Sequence, residues 1–222
     1  MVSVVIPTLN EEREIEGCLQ SALALSDAVE VIVADGGSSD TTLQRIALFP
    51  RVRCVHASKG RSQQMNAGAE AASEDILLFL HVDCRLPSKT SKLIQKALED
   101  SRTVGGFFQA HLDHPDFRFR LSSTLLNLRA NRTGGATGDQ GIFVRKGIFE
   151  RLGGYANIPL FEDLDLMRRM KKIGRVAVID SPIRISPRRW LERGYFKTHL
   201  LMWGLRLLYL AGVPPRYLVR FY

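Results

Sequence analysis

The first hundred residues alternate between short apolar runs and segments whose apolar residues recur at helical spacing. Four apolar runs predict β-strands, at residues 2–6, 29–34, 52–56 and 76–80. Three helices are predicted between them: one after Asn10, which is a good N-cap, one ending near Ala47, and one over 62–72. Continuous apolar strands are typical of a parallel sheet covered on both faces, and right-handed crossovers then give an open α/β sheet.

The second half of the chain has a less regular pattern. It predicts a strand at 104–110, of possible antiparallel direction, a helix at 117–130 and a short strand at 142–145. Helices are predicted at 164–173, with acids before it and lysines at its end, and at 195–211. We therefore expect one domain over 1–222, with a small antiparallel element in its second half. A nucleotide-binding half (1–100) precedes an acceptor and catalytic half (101–190) and an apolar, basic helix and tail (191–222).

Positive charge is concentrated at the C-terminus. The net charge is +8, and residues 181–222 carry +7 of it, from eight basic residues and Glu192. Such a patch suits phosphates, anionic lipid or nucleic acid. Overall composition, with 45% hydrophobic and 24% charged residues, indicates neither disorder nor an integral membrane protein.

Cysteine usage and the N-terminus favour a cytoplasmic protein. The three cysteines are odd in number and form no CxxC pair, which argues against a disulfide framework and for a reducing compartment. No basic segment precedes the first apolar run, so that run predicts a strand rather than a signal peptide.

Polar residues follow three of the predicted strands. Ligands bind beyond the carboxyl ends of the strands in an open parallel sheet, so these residues should converge on one rim. They are Pro7, Thr8, Asn10 and Glu11 after the first strand, Asp35, Gly36 and Gly37 after the second, and His81 and Asp83 after the fourth.

Each of these clusters has a structural and a functional interpretation. Asp35-Gly36-Gly37 is either an ordinary turn or a loop whose backbone approaches a ligand while the carboxylate accepts from a base or ribose. The segment around Asp83 is either a surface loop or a site where a carboxylate holds Mg²⁺ or Mn²⁺ against a diphosphate.

An acidic cluster at 162–165 exceeds the needs of helix capping. Glu162, Asp163 and Asp165 all fall at the start of one predicted helix, where acids compensate the helix dipole. Asp163 and Asp165 cannot both be the cap, so one carboxylate facing a cleft could act as a general base.

Three further segments could contact anions or an acceptor. Arg188, Arg189 and Trp190 could clamp a diphosphate and stack on a ring, or could form a solvated basic loop. Arg61 precedes a helix and could bind an anion there, or could be ordinary surface charge. Asp139 and Gln140 lie in a glycine-flanked segment that is either a turn or an acceptor loop.

Taken in order, these segments resemble the family 2 glycosyltransferases of the GT-A fold. The resemblance extends from Val2 to about Trp190 and is strongest for a small bacterial subgroup found beside radical-SAM or selenium-associated genes. The seven segments are VVIPTLNEE, ADGGSSDTT, KGRSQQMNAG, LFLHVDCRLP, GDQGIFVRK, FEDLDLMRRM and SPRRW.

The resemblance implies a role for each matched residue. Asp163 matches the catalytic base, and Asp83 matches the last aspartate of the DxD motif, which contacts Mn²⁺ or Mg²⁺. The nucleotide-sugar donor, commonly UDP-linked, would be bound by Pro7, Thr8, Asn10, Glu11, Asp35, Gly36, Gly37, Arg61, His81 and Asp83. Diphosphate or acceptor contacts would come from Asp139, Gln140, Glu162, Arg189 and Trp190.

Two departures from the family pattern affect the metal and the acceptor. His81 stands where the first DxD aspartate is usual, and Ser186 stands where the glutamine of QxxRW is usual. The resemblance implies an inverting transferase that adds a single sugar to an acceptor hydroxyl. The alternatives are a non-catalytic module that binds nucleotide or membrane through its basic tail, and a sugar nucleotidyltransferase. Three acids on one rim would repel phosphate, so nucleic acid is not an expected partner.

The helix at 195–211 carries an apolar stripe: Phe196, Leu200, Trp203, Leu207 and Leu210. The apolar stretch is too short to span a bilayer, which needs ~20 residues. It could pack on its own domain, or 195–222 could lie at the inner face of the membrane, with flanking arginines near anionic headgroups. A lipid-linked acceptor would make the second arrangement useful. The donor sugar, the acceptor and the oligomeric state, including a homodimer, stay open.

Overall fold

The computed structural model of the chain describes residues 1–25 and 29–222. Its centre is an eight-stranded sheet in the order β3-β2-β1-β4-β7-β6-β8-β5. The strands are β1 Val2–Thr8, β2 Val29–Asp35, β3 Val52–His56, β4 Ile76–Phe79, β5 Cys84–Arg85, β6 Thr103–Leu112, β7 Ile142–Arg145 and β8 Arg175–Ile185. One sheet therefore takes strands from both halves of the chain.

Ten helices surround the sheet in the described part of the chain. They are α1 Ile15–Leu23, α2 Thr42–Ile46, α3 Arg61–Ala71, α4 Thr90–Ala97, α5 Phe117–Thr133, α6 Lys146–Arg151, α7 Glu162–Ile173, α8 Arg188–Arg193, α9 Tyr195–Leu210 and α10 Pro215–Leu218. Short 3-10 turns occupy Gly138–Gln140 and Val219–Phe221.

The four predicted N-terminal strands form the parallel part of the sheet, as expected. β1 pairs in parallel with β2 and with β4, and β2 pairs in parallel with β3. Alternate residues of β1 pack on opposite sides: Val4 and Ile6 face α1, and Val5 faces Met65 and Ala69 of α3. Both faces of β1 are therefore buried, as expected for a central strand of a parallel sheet.

The antiparallel element of the second half is also present. β7 lies between β4 and β6 and runs antiparallel to both. β6 is parallel to its other neighbour, β8, so its predicted antiparallel direction holds on one side only. β8 was not predicted, because Asp180, Pro182 and Arg184 interrupt its apolar pattern. The pairing of β8 with β6 has an irregularity between Phe108 and Gln109.

The predicted capping role of Asn10 is wrong. α1 begins at Ile15, with Glu14 at its N-cap position and no side-chain cap. Asn10 instead has a positive φ of 54° and connects two loops of the rim. Its side-chain oxygen accepts from the Ser39 backbone N–H, and its own N–H donates to the Ser38 hydroxyl. The short polar side chain therefore serves loop packing rather than a helix start.

The apolar stripe of α9 is exposed and does not pack on the domain. Its five members are 47–78% exposed, whereas Thr198 and Leu205 are the buried residues of the helix. α5 has a similar exposed stripe, made of Phe117, Leu121, Leu125 and Leu128. Within the described residues, no helix is both long enough and apolar enough to cross a membrane.

The two helices with exposed stripes, α5 and α9, are neighbours. Ser122 of α5 lies within hydrogen-bonding distance of the Tyr195 hydroxyl (2.6 Å) and of His199 Nε2 (2.8 Å) on α9. The rings of Phe119 and Tyr195 meet edge to face.

All three cysteines are free thiols.

Candidate functional site

The carboxyl ends of the parallel strands surround a cavity, called here the rim cavity. Six of the predicted site residues line it: Pro7, Glu11, Arg61, His81, Asp83 and Arg189. The loops that follow β1 and β4 therefore lie together, at the position where ligands bind in open α/β sheets.

A second cavity, called here the helix cavity, lies against α5, α7 and α9. Its lining includes Asp139, Asp163, Leu126, Arg129, Trp203 and Arg206, and it holds about 1050 Å³ of space with its open mouth included. Arg61, His81 and Arg189 line both cavities, so their side chains form a shared wall.

The loop after β2 is organised by Asp35. This carboxylate is almost fully buried and accepts from the backbone N–H groups of Gly37 (2.9 Å) and Ser38 (3.0 Å), and from the Ser38 hydroxyl. In the described chain, Asp35, Gly36 and Gly37 are not among the residues that line the rim cavity. The structure thus assigns Asp35 a part in shaping the loop.

Thr8 and Asn10 are not among the described residues that line the rim cavity. The buried Thr8 offers its carbonyl to the Gly36 N–H (2.9 Å) and to the side-chain amide of Gln64 (2.6 Å). Gln64 also donates to the Ala34 carbonyl, so it joins β1, β2 and α3. Sequence reasoning missed it, because a buried glutamine inside a helix has no distinguishing pattern.

Three potential metal ligands form a cluster at the shared wall. One ligand atom each from His81, Asp83 and Asp139 lies within 4.8 Å of the others. His81 Nδ1 lies 2.7 Å from Asp139 Oδ1, while its Nε2 is buried without a hydrogen-bond partner. A Cβ on Gly138 would approach Nε2 to 2.3 Å, so a glycine is needed for the imidazole to lie there.

The pKa values of the two carboxylates of the cluster are shifted in opposite directions. Burial raises the pKa of Asp83, and the neighbouring charge of Asp139 raises it further. Burial acts in the same direction on Asp139, but the hydrogen bond to His81 and the charges of His81 and Arg189 hold the pKa of Asp139 below its ordinary value. Asp139 is therefore the carboxylate most strongly held in its charged form.

Asp163 lies in the first turn of α7, in the wall of the helix cavity. Its Oδ2 accepts from the Gly138 backbone N–H (2.7 Å) and its Oδ1 from the Leu164 N–H (2.6 Å). Burial and the charge of Glu162 raise the pKa of Asp163 to about 6. A carboxylate with such a pKa is charged at neutral pH yet basic enough to take a proton.

The neighbours of Asp163 fix its position. Phe161, directly before α7, has a left-handed backbone with φ of 66° and stacks on Tyr209 at 4.7 Å. Glu162 is buried and pairs with Arg61 Nη1 at 3.3 Å. Glu162 thus positions a guanidinium of the shared wall, while the next residue faces the helix cavity.

Gln140 is fully buried beneath the acceptor loop that the sequence suggested. Its side-chain amide donates to the Phe108 carbonyl, and its oxygen accepts from the Thr137 N–H. Its neighbour Asp139 faces both His81 and the helix cavity. Gln140 therefore supports the turn that presents Asp139.

The two arginines before Trp190 have different partners. Arg188 donates to Glu11 Oε2 (2.8 Å), which links α8 to the loop after β1. Arg189 donates to the Tyr222 hydroxyl (2.7 Å) and lies over that ring, at the shared wall. Trp190 lines the helix cavity.

Two arginines of the helix cavity were not predicted as site residues. Arg129 belongs to α5 and Arg206 to α9, and both lie close enough to Asp163 to feel its charge. The sequence predicted the segment of Arg129 only as a helix, and it assigned Arg206 to a basic C-terminal patch without a role in the site. The single available signal was the absence of acids from both helices, which leaves these arginines without local partners.

Comparison with protein families gives one match that covers most of the chain. The model described as glycosyl transferase family 2 matches residues 3–152. Curated relatives include the undecaprenyl-phosphate 4-deoxy-4-formamido-L-arabinose transferases of Serratia proteamaculans and Yersinia pestis, which are 29% and 26% identical over 156 residues. These alignments cover 65% of this chain, and the chain spans about half the length of either relative (48% and 47%).

Solved structures of similar fold cover still more of the chain. S. aureus TarS 1–349 superposes with a TM-score of 0.66 at 21% identity, over 86% of this chain and 62% of that one. The mannosyltransferase PcManGT of Pyrobaculum calidifontis, in complex with GDP-Man and Mn²⁺, superposes with a TM-score of 0.65 at 20% identity, over 92% and 60% of the two chains.

Proposed function

The chain belongs to glycosyl transferase family 2, and we propose that it moves a sugar from a nucleotide-sugar donor to an acceptor hydroxyl with inversion of the anomeric carbon. The expected GT-A fold is confirmed. One observation carries the proposal: Asp83 lies in the rim cavity, Asp163 lies in the helix cavity, and the two cavities share a wall.

The rim cavity suits the donor. It lies at the carboxyl ends of β1 and β4, and Arg61 and Arg189 bring two guanidinium groups that match the charge of a diphosphate. TarS has been solved in complex with UDP-GlcNAc and PcManGT with GDP-Man, and we extend the nucleotide-sugar class from these proteins to this chain. A UDP-linked sugar is the donor we propose.

The residues at the shared wall fit a divalent cation. Two carboxylates and one imidazole lie within reach of a single ion, and the close approach of Asp83 to Asp139 favours a positive charge between them. Imidazole suits Mn²⁺ better than Mg²⁺, which prefers oxygen ligands, so His81 favours Mn²⁺. Such an ion would supply charge stabilisation for the departing diphosphate.

Side chains of the protein would carry out proton removal and diphosphate binding. Asp163 takes the proton from the acceptor hydroxyl as that oxygen attacks the anomeric carbon. Arg61 and Arg189 hold the diphosphate and neutralise the charge that grows on it. Because attack and departure occur on opposite faces of the carbon, a single displacement inverts its configuration.

A donor titration tests the first step. We expect calorimetric titration with a panel of UDP- and GDP-sugars to show saturable binding of at least one UDP-sugar in the presence of Mn²⁺. Removal of the metal should weaken it by about tenfold or more, because a divalent cation held by His81, Asp83 and Asp139 would offset the negative charge of the diphosphate. Absence of binding by every member of the panel, with the protein folded, would count against a nucleotide-sugar transferase.

The exposed stripes of α5 and α9 support contact with a membrane surface. Both helices lack acidic residues, and they carry Arg118, Arg120, Arg129 and Arg132 on α5 and Lys197 and Arg206 on α9. An apolar face with flanking basic groups is typical of helices that lie in the interface of an anionic bilayer. The curated relatives are named as transferases of undecaprenyl phosphate, which supports a lipid-linked acceptor. We therefore place the protein at the cytoplasmic face of a membrane.

Vesicle flotation tests this placement. We expect the protein to float with vesicles containing phosphatidylglycerol, less with neutral vesicles, and less again at high salt, because the basic groups act through screened charges. Leu200→Asp should release most of the protein from the vesicles, because it puts a negative charge on the stripe at a side chain that is 78% exposed. Leu48→Asp is a matched control. Leu48 is 70% exposed, lies outside both stripes and precedes β3, which forms one edge of the sheet. Equal flotation of wild type and Leu200→Asp would refute contact through α9.

A further inference from the structure

Among the residues that the structure describes, two arginines of the helix cavity form no hydrogen bond or ion pair. Arg129 Nε and Nη2 are buried and make no hydrogen bond. Arg206, across the same cavity on α9, forms no hydrogen bond or ion pair with any residue that the structure describes. Buried polar groups are nearly always paired, so the unpaired guanidinium of Arg129, with the half-buried Arg206 at the same cavity, points to a ligand.

The charged forms of both arginines are destabilised by their surroundings. Burial and the nearby charge of Arg206 lower the pKa of Arg129 to about 10, and burial lowers the pKa of Arg206. Unpaired charge is costly to remove from water, and two like charges increase that cost. An anion between them would relieve both penalties.

The carboxylates nearby are already engaged. Asp163 accepts from the backbone N–H groups of Gly138 and Leu164, and Asp139 is bound to His81. Neither forms an ion pair with Arg129 or Arg206 among the described residues. An anion in direct contact with these arginines would therefore come from outside the chain.

The surroundings of the arginine pair are apolar. Leu125 and Leu126 of α5 and Met202 and Trp203 of α9 line the same cavity. Leu125 and Trp203 also belong to the exposed stripes, so apolar surface continues from the cavity to the outside. A small hydrophilic anion would leave this surface unused, whereas an anionic group on a hydrocarbon chain would cover it.

We propose that Arg129 and Arg206 bind the phosphate of an amphipathic lipid acceptor whose hydrocarbon chain lies between α5 and α9. The inference rests on the proposed transferase function and adds the acceptor's chemical class and its receptor residues. The bound phosphate would lie in the same cavity as Asp163. Guanidinium pairs are well suited to phosphate, because their donors match its oxygens.

Intrinsic fluorescence gives a direct binding test. The chain has two tryptophans, Trp190 and Trp203, and both line the helix cavity. We would titrate the full chain with decyl phosphate, decanol and inorganic phosphate, keeping the amphiphiles below their micelle concentrations. Decyl phosphate should bind at least ~10-fold more tightly than either of the others, since a hydrogen bond to a charged group contributes a tenfold factor or more.

Substitutions assign the effect to the pair. Arg129→Met and Arg206→Met should each weaken decyl phosphate by ~10-fold or more and leave decanol unchanged. Arg206→Lys should retain part of the affinity, because the charge is kept. Arg132→Met is a matched control on α5, because Arg132 is exposed and outside the cavity lining. Circular dichroism and melting curves check that each variant is folded.

The outcomes separate this inference from the proposed function. Equal affinities for decyl phosphate and decanol, or unchanged affinity in both Met variants, would overturn it. Inorganic phosphate binding as tightly as decyl phosphate would overturn the lipid assignment and leave a site for free phosphate. None of these measurements uses the donor, so a failure to bind nucleotide sugars would refute the transferase without affecting the result for the arginine pair.

Discussion

Asp163→Asn is expected to lower turnover by roughly 10²–10⁴, the usual contribution of a general base. The amide keeps the size of the side chain and can still accept from one backbone N–H, so donor and acceptor should bind as before. The loss should therefore appear in kcat and only slightly in the affinity for the nucleotide sugar. Near-normal turnover with both substrates supplied would remove Asp163 from the chemistry.

Two controls separate lost chemistry from lost structure. Burial raises the pKa of Asp163 above its ordinary value, so its charged form destabilises the fold at neutral pH, and removing that charge offsets the one backbone hydrogen bond that the amide cannot accept. Melting curves check that the variant stays folded. Asp165→Asn is the matched variant, because Asp165 lies in the same turn but binds Arg169 at 2.7 Å rather than facing the cavity. We expect Asp165→Asn to retain most of the turnover.

Asp83→Asn is expected to have the second-largest effect, a loss of at least ~100-fold in kcat/KM, because even the outer partners of metal ligands contribute 10–100-fold. Asp83 is the carboxylate of the cluster that lines the rim cavity, and it also approaches His81 and Asp139. The variant should need much more Mn²⁺ for half-maximal activity, and its donor affinity should no longer respond to the metal.

The control for Asp83→Asn is an aspartate without cavity contacts. Asp180→Asn changes the same charge on the exposed side of β8, outside both cavities. It should leave the Mn²⁺ dependence unchanged. If Asp83→Asn and wild type respond equally to Mn²⁺, the metal is not held at this cluster.

The parallel half of the fold was predictable because local pattern and tertiary environment agree there. β1 and β2 are buried on both faces, so apolar residues dominate both strands, and β3 was predicted with its observed bounds. β8 was missed because its position is set by pairing with β6, which no local pattern records. The burial of β8 is mixed along its length, which allowed charged residues and a proline within the strand.

The candidate site divides in a similar way. Loops at strand ends could be placed, because the topology of a parallel sheet brings them together. The direction of individual side chains could not: Asp35 bonds within its own loop and Gln140 lies beneath its turn. Arg129 and Arg206 could not be predicted as site residues, because they line the same cavity only where α5 and α9 meet, and these helices are distant in the sequence.

The pH dependence of kcat, measured for wild type and Asp163→Asn under saturating donor and acceptor, tests the central claim most directly. A base whose pKa is raised to about 6 is protonated and inactive below that pH and charged above it. We predict that wild-type kcat rises with pH through about 6 to a plateau, and that the residual activity of Asp163→Asn lacks this rise. The same rise in both proteins would contradict the assignment of Asp163 as the base.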